Sequence, residues 1–450
     1  MHLREHAGRA TCGADVLPPP AVRRHDVPVP TEPDDDELDL IRRSGTVLSV
    51  GRLSLASGTG SYRVKASMAR VAHALGIDRH HAHVTLTEIT TTSHRGRSFR
   101  TEVTEVRTVG VNTDRLAELE LLAQRVEARA PLRVEDVAPE IDRIATKPPL
   151  YPVPLNALWA AVACAAFAFL NNGGPVEVVG AFVGAWLGQA LRRTMLHRGL
   201  NQFGVTMLAA ALSSLAYLGF VEVLHLVGLT GGVHDAGYVA AALFLVPGFP
   251  LVTGALDLAK LDFSAGVARL TWALMIFVSA AFGVWGVSLV VGLSPDPPQP
   301  LALDPVVTTA LRLVASFVGV LGFALMFNSP WRMALVAAGV ATLPNVLRIE
   351  AVSRLEWPPQ AAAAGAAFLV GLLAAWAAPR LNIPRITVYV PAVTIMVPGV
   401  PAYRAVYYLS NGDVARALEY GVSAALVVAA LAIGLAVARM VTDREWGYEH

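Results

Sequence analysis

The chain has 450 residues, 54% of them hydrophobic and 16% charged, with a formal net charge of +1 at pH 7. Soluble proteins carry about 25% charged residues, so the whole chain is neither an ordinary soluble enzyme nor a basic nucleic-acid binder. The charges crowd into residues 22–150, and beyond Leu150 come runs of Ala, Val, Leu and Gly too long and too many for core helices.

Residues 1–37 are polar and Pro-rich, lack the apolar core of a signal peptide, and read as a disordered tail. Residues 38–55 have apolar positions at helical spacing. A break at Ser57-Gly58-Thr59-Gly60 follows. Next comes an amphipathic helix with Val64, Met68, Val71, Ala72 and Leu75 on one side and Gly76 as its stop. Alternation over 84–89 and 99–105, around a turn at 94–97, predicts a hairpin of two strands. Two further helices are expected over 114–130 and 134–145. Residues 38–150 therefore form a small α+β domain, joined to the rest by Lys147-Pro148-Pro149.

Within this domain the stretch 57–60 reads as a helix-to-helix turn with Ser61 as cap. The other reading is a small-residue loop holding an anion at a helix start. His80, His81 and His83 have no carboxylate or cysteine at ligand spacing, so no metal site is expected. Cys12 and Cys164 suggest neither a disulfide nor a metal site, and no cofactor is expected.

Ten apolar segments follow, at 153–170, 175–191, 203–226, 236–256, 267–291, 306–327, 331–347, 361–378, 384–405 and 420–440. Most approach the roughly 20 residues needed to cross the hydrocarbon. Basic residues set the orientation. With the N-terminal domain in the cytoplasm, Arg192, Arg193, Arg198, Lys260 and Arg385 face inward, and the first three outward loops carry no Lys or Arg. Arg348 and Arg354 face outward beside Glu350 and Glu356, against that trend. An even count puts the tail 441–450 in the cytoplasm as well.

Two passages resemble each other, Val246-Pro247-Gly248-Phe249-Pro250 and Val397-Pro398-Gly399-Val400-Pro401, 151 residues apart. They fall in the fourth and ninth segments, so the repeat unit is five spans. An odd unit makes the two copies, 151–293 and 306–440, cross in opposite senses, with 294–305 as an external linker. Proline removes a backbone donor and glycine lets the chain leave helical geometry. Both spans should therefore be interrupted, as in transporters built from inverted repeats. Pro247, Gly248, Pro250, Pro398, Gly399, Pro401 and Tyr403 are the candidate substrate-binding or gating residues.

Polar groups within spans are costly and therefore suspect. Asp257 and Lys260 are spaced (i, i+3) for an ion pair at the cytoplasmic mouth, and Asp257 reads equally as a proton or substrate-amine site. Glu222 and His225 lie one turn apart near the end of the third segment, where His225 has the residue type that titrates near neutral pH. Asn345 and Arg404 complete the candidates for proton coupling or a polar pathway. Arg312 needs a partner or room to snorkel. Asn156 and Asn328 are hydrogen-bond candidates near span ends. Tyr403, Tyr407 and Tyr408 line a pathway or form an interfacial aromatic belt.

These pieces, in this order, resemble the bacterial threonine/serine exporter family over roughly residues 40–440. The resemblance is carried by Ser57-Gly58 with Arg63, Ala74-Leu75-Gly76, the strand after it, residues 246–250 with Asp257, and residues 397–401 with Tyr403. It implies a cytoplasmic domain before ten spans in a bacterial inner membrane. It also implies proton-coupled efflux of threonine and serine, with no enzymatic activity. No nucleotide-binding loop is present. A channel or facilitator, a membrane enzyme, or a sensor sharing the fold remain the other readings. Self-association is left open.

Overall fold

The computed structural model describes residues 35–107, 110–230, 234, 237–295 and 301–443. The expected N-terminal tail falls outside them except for 35–37, which form the first turn of α1. Cys12 and residues 444–450 also lie outside.

The N-terminal domain packs α1 (Asp35–Ala56), α2 (Ser61–Ala74), α3 (Thr113–Ala128) and α4 (Val134–Thr146) around a three-stranded antiparallel sheet, β1 (Arg79–Val84), β2 (Glu88–Arg95) and β3 (Ser98–Glu105), in the order β1-β2-β3. Apolar residues at helical spacing supply its core: Val47 and Val50, Val64, Met68 and Val71, Leu119 and Leu122, and Val137, Ile141 and Ile144. The sheet has one strand more than expected. The alternation over 84–89 belongs to the end of β1, a turn and the start of β2. β1 itself is read only from its pairing, Arg79 opposite His94 through Val84 opposite Ile89. The tight turn at Gly96 (φ +58°) joins β2 to β3 as expected.

Each apolar segment of the sequence is helical: α5 (Val153–Leu170), α6 (Pro175–His197), α7 (Gln202–Leu226), α8 (Gly237–Ala241) with a 3-10 turn and α9 (Gly248–Ala259), α10 (Phe263–Val291), α11 (Pro305–Met326), α12 (Trp331–Arg354), α13 (Pro359–Arg380), α14 (Arg385–Thr394) with α15 (Gly399–Ser410), and α16 (Val414–Thr442). Among the described residues, seven helices are long and apolar enough to cross a membrane. An eighth span counts if α14 and α15, bent by 47° at their break, are taken as one. The segments below that threshold are α6, with Glu177, Gln189, Arg192 and Arg193, and the broken α8–α9. Exposed Leu215, Leu274 and Ile433 on the outer helices suit contact with lipid tails.

The two halves match in detail. α9 and α15 have 12 residues each, and α10 and α16 have 29 each. Pro247 (φ −80°, ψ 57°) and Pro398 (φ −80°, ψ 62°) adopt the same conformation before α9 and α15. A left-handed residue stands two positions after corresponding helix ends: Asn172 and Asn328, Gly199 and Glu356, Gly228 and Asn382, Leu261 and Gly412. Pairings recur as well. α5 packs on α6 as α11 does on α12, α7 on α10 as α13 on α16, and α9 on α16 as α15 on α10.

Candidate functional site

The two V-P-G-x-P passages meet at the centre of the bundle. Proline cannot donate to the preceding turn, and the Gly248 amide turns back to the Val246 carbonyl at 2.8 Å. The Gly399 amide does the same to Val397, also at 2.8 Å. The breaks pack on each other reciprocally. A Cβ on Gly248 would lie 2.8 Å from Thr394 Cγ2 and 3.4 Å from Val397 Cγ2. A Cβ on Gly399 would lie 2.8 Å from Leu243 Cδ2 and 3.0 Å from Val246 Cγ2. Thr394 and Val397 stand 151 residues after Leu243 and Val246, so each break touches the counterpart of what touches it. Phe167 and Phe323 close the space between them, leaving a cavity of ≈ 10 Å³. That is about the minimum for one water and too small for an amino acid, so the centre is closed.

Polar clusters flank this closed centre. On the side of the N-terminal domain, buried Tyr389 of α14 accepts a hydrogen bond from Arg63 of α2 (3.3 Å). The Tyr62 hydroxyl accepts from Arg63 (2.8 Å) and Arg439 (2.6 Å). Burial pushes the Tyr62 phenol well above its ordinary pKa, so it stays protonated. On the far side Tyr238, 151 residues before Tyr389, stands edge-on to Tyr403 with ring centroids 6.2 Å apart. Both rings are buried.

Asp257 is wholly buried, and its partner is Arg269 of α10 (3.4 Å), not Lys260 as its spacing predicted. Helix packing brings Arg269 under the N-terminal domain, where it donates to the carbonyls of Gly58 (3.3 Å) and Thr59 (2.9 Å). The amides of Ser61 and Tyr62 face the Asp257 carboxylate without completing hydrogen bonds of normal geometry. A Cβ on Gly60 would lie 2.6 Å from Asp257 Oδ1, so only glycine fits there. The stretch 57–60 is therefore a docking turn, and the anion at the start of α2 is the chain's own carboxylate. Gly60 takes the cap position expected for Ser61. The Ser61 hydroxyl donates to Asp262 (2.8 Å), which also pairs with Lys65.

The N-terminal domain grips other ends too. Asn328 donates to Asn112 (2.9 Å), and Thr113 bonds Ser329 (2.6 Å) and the Phe327 carbonyl (3.1 Å). Between α2, α3 and the ends of α13, α14 and α16 lies a cavity of ≈ 550 Å³, with Lys260 and Arg385 on its wall.

The remaining candidates are dispersed. Asn345, fully buried, donates to Ser316 (2.9 Å) and accepts from Arg348 (3.1 Å). Arg404 donates to the Pro295 carbonyl (2.7 Å), and its guanidinium lies over the Tyr420 ring on the far side. Arg312 pairs with Glu350 (2.9 Å). Asn156 holds the Met326 carbonyl (2.8 Å) and Gln189 (2.8 Å). Glu222 and His225 are exposed at the end of α7 and line none of these clusters. His81 and His83 lie on the opposite face of β1 from His80, and no group that could hold a metal occurs among the described residues.

Sequence reasoning missed Arg63, Tyr238, Arg269, Tyr389 and Arg439 as members of these clusters. The signal for two of them was the offset of 151 itself, which maps Tyr238 onto Tyr389.

Residues 45–291 match the ThrE family model and residues 312–441 a second model described as Threonine/Serine exporter, ThrE. The chain is 26% identical over 421 residues to the threonine/serine exporter of Corynebacterium glutamicum, covering 88% of this chain and 81% of that protein. It is also similar to proteins named "Probable succinate transporter subunit YjjP". The one from Klebsiella aerogenes is 29% identical, covering 52% of this chain and 90% of that protein. The one from Escherichia coli is 27% identical, covering 53% and 93%. No solved structure matches. Two family models that account for both halves, on a polytopic helical chain with broken helices at its centre, describe a transporter and not an enzyme: the chain belongs to the threonine/serine exporter family.

Proposed function

We propose that this chain is a secondary exporter of threonine and serine, working by proton antiport. It crosses a bacterial inner membrane ten times as two inverted five-helix repeats, 151–293 and 306–440. The observation that carries this is the reciprocal packing of the breaks at Gly248 and Gly399. Two equivalent broken helices meeting at one point can open alternately to either side as one repeat rocks on the other. Substrate passes between them, with Pro247, Pro250, Pro398 and Pro401 holding the breaks and Tyr403 on the exit side. Asp257, Lys260 and Asn345 belong to the polar pathway, and Arg404 to its outer end. Glu222 and His225, exposed at a helix end, have no part in it.

The ten-span count is supported by sidedness. The N-terminal domain touches Asp262, Asn328, Tyr389 near the start of α14, and Arg439. Those points lie on one side of the membrane if α6, the broken α8–α9 and the broken α14–α15 each cross. The basic residues Arg192, Arg193, Lys260, Arg269, Arg385 and Arg439 then share that side, which is the cytoplasm. The domain and the C-terminus are cytoplasmic.

The test is efflux from liposomes loaded with labelled threonine, serine, alanine, glutamate or succinate, under an imposed proton gradient and with an uncoupler. Gradient-dependent loss of threonine and serine is the expected result. Equal leakage of every solute would replace the exporter by a channel. A second reading, export of small dicarboxylates, is favoured by the excess of cations around the cavity beside Arg63, and succinate efflux in the same experiment decides it.

A further inference from the structure

We propose that the ≈ 550 Å³ cavity between the N-terminal domain and the membrane bundle is a receptor for the carboxylate of a small zwitterionic solute, occupied before the solute reaches the breaks. The inference deepens the export reading and rests on it. The volume lies within the usual range for small-molecule sites, about 300–1,000 Å³. Among the described residues its wall carries cations in excess: Arg63, Arg70, Lys260, Arg385 and Arg439 against Glu120 and Asp443. Glu120 is shared by Arg63 (3.8 Å) and Arg70 (3.4 Å), and Asp443 pairs with Arg439 (2.9 Å). Arg385, in the first turn of α14, has no carboxylate partner among the described residues. A guanidinium offers two parallel donors that match a carboxylate.

The position is as informative as the charge. Arg385 begins the second broken helix, and Tyr389, one turn further, is held by Arg63 from the same wall. A carboxylate on Arg385 therefore sits at the mouth of the span that breaks at Gly399. Glu120 and Asp443, on the same lining, are the negative groups that the solute's α-ammonium would meet. Seven of its fifteen lining residues come from α2 and α3, so the N-terminal domain completes this site.

The experiment is equilibrium binding of labelled threonine to the purified full-length protein in detergent, with threonine methyl ester as competitor, for the wild type, Arg385→Gln and Arg385→Lys. Efflux is measured on the same preparations, and elution profile and melting temperature confirm folding. Threonine should bind the wild type at least tenfold more tightly than its ester. Arg385→Gln should weaken threonine about tenfold and abolish the preference over the ester, and Arg385→Lys should recover part of it. Equal threonine affinity in wild type and Arg385→Gln, or an ester that competes as well as threonine, would overturn the receptor. Succinate bound in preference to threonine would overturn the zwitterionic assignment. Absence of efflux with Arg385-dependent binding intact would remove the export reading and leave the receptor standing.

Discussion

Asp257 and Arg269 face each other at 3.4 Å, both fully buried, beneath the turn that starts α2. At the corresponding positions of the second half, 151 residues on, stand Tyr408 and Tyr420, whose rings stack at 5.7 Å. One half thus holds a charged pair under the N-terminal domain, and the other an aromatic pair covered by Arg404 and Arg416. The same asymmetry appears at Asp262 and Asp413. Asp413 caps its own helix through the Arg416 amide, whereas Asp262 makes no cap bond and is drawn to Ser61 and Lys65. The domain has taken over these polar groups of the first half.

Removing one partner of a buried ion pair leaves the other charge uncompensated, at a cost of about 3–5 kcal/mol. Asp257→Ala should lower the melting temperature sharply and release the N-terminal domain. Asp257→Leu with Arg269→Met should recover most of the stability while the domain stays loose, read as faster proteolysis between residues 147 and 150. Equal proteolysis of the double variant and the wild type would show that the pair does not hold the domain.

The breaks should tolerate no side chain. Gly248→Ala places a methyl 2.8 Å from the branched Thr394, which has little freedom to yield, and Gly399→Ala meets the more flexible end of Leu243. Efflux should fall more in Gly248→Ala than in Gly399→Ala, and by more than tenfold in both valine variants, with the protein still monodisperse. Retained efflux in Gly248→Val would place the pathway elsewhere.

The proposed ten crossings make a labelling prediction. In a Cys12→Ser, Cys164→Ser background, single cysteines at Leu229, Leu355 and Asn411 should react with an impermeant maleimide on intact cells. Cysteines at Leu200 and Arg380 should react only after permeabilisation. Reaction of Arg380→Cys from outside would mean that one of the segments up to α13 does not cross.

His80 makes the domain sensitive to acid. Burial first, and the neighbouring His81 second, push its imidazole down to about 4, against about 6.5 in an unfolded chain. Between those values the unfolded state binds a proton that the folded state does not, so stability falls as pH drops through this window. His80→Gln should flatten the decline in melting temperature between pH 6.5 and 4 and leave stability at pH 7.5 little changed. Glu118 adds a second loss at lower pH. Burial would raise its carboxyl, but Lys147 and Arg143 hold it below its ordinary value, and protonation removes that stabilisation.

The helices of the N-terminal domain were legible because their apolar residues repeat at helical spacing, and α2 differs from its expected range by only a few residues. β1 was not. Its residues, Arg79-His80-His81-Ala82-His83-Val84, show almost no apolar alternation, and only the ladder to β2 makes them a strand. The breaks at Gly248 and Gly399 were legible because proline and glycine act through their own backbone chemistry. The partner of Asp257 was not legible. Lys260 was the local candidate by spacing, and Arg269 reached the carboxylate only through the antiparallel packing of α9 on α10.

By itself, the sequence determined where helices begin, break and end, and that the V-P-G-x-P passage recurs 151 residues on, because propensity, capping and proline chemistry act over a few residues. Only the tertiary structure decided which polar groups meet. A buried charge or hydroxyl must find its partner wherever packing places one, and in this chain the partners of Asp257, Asp262 and Tyr389 come from other helices or from the N-terminal domain.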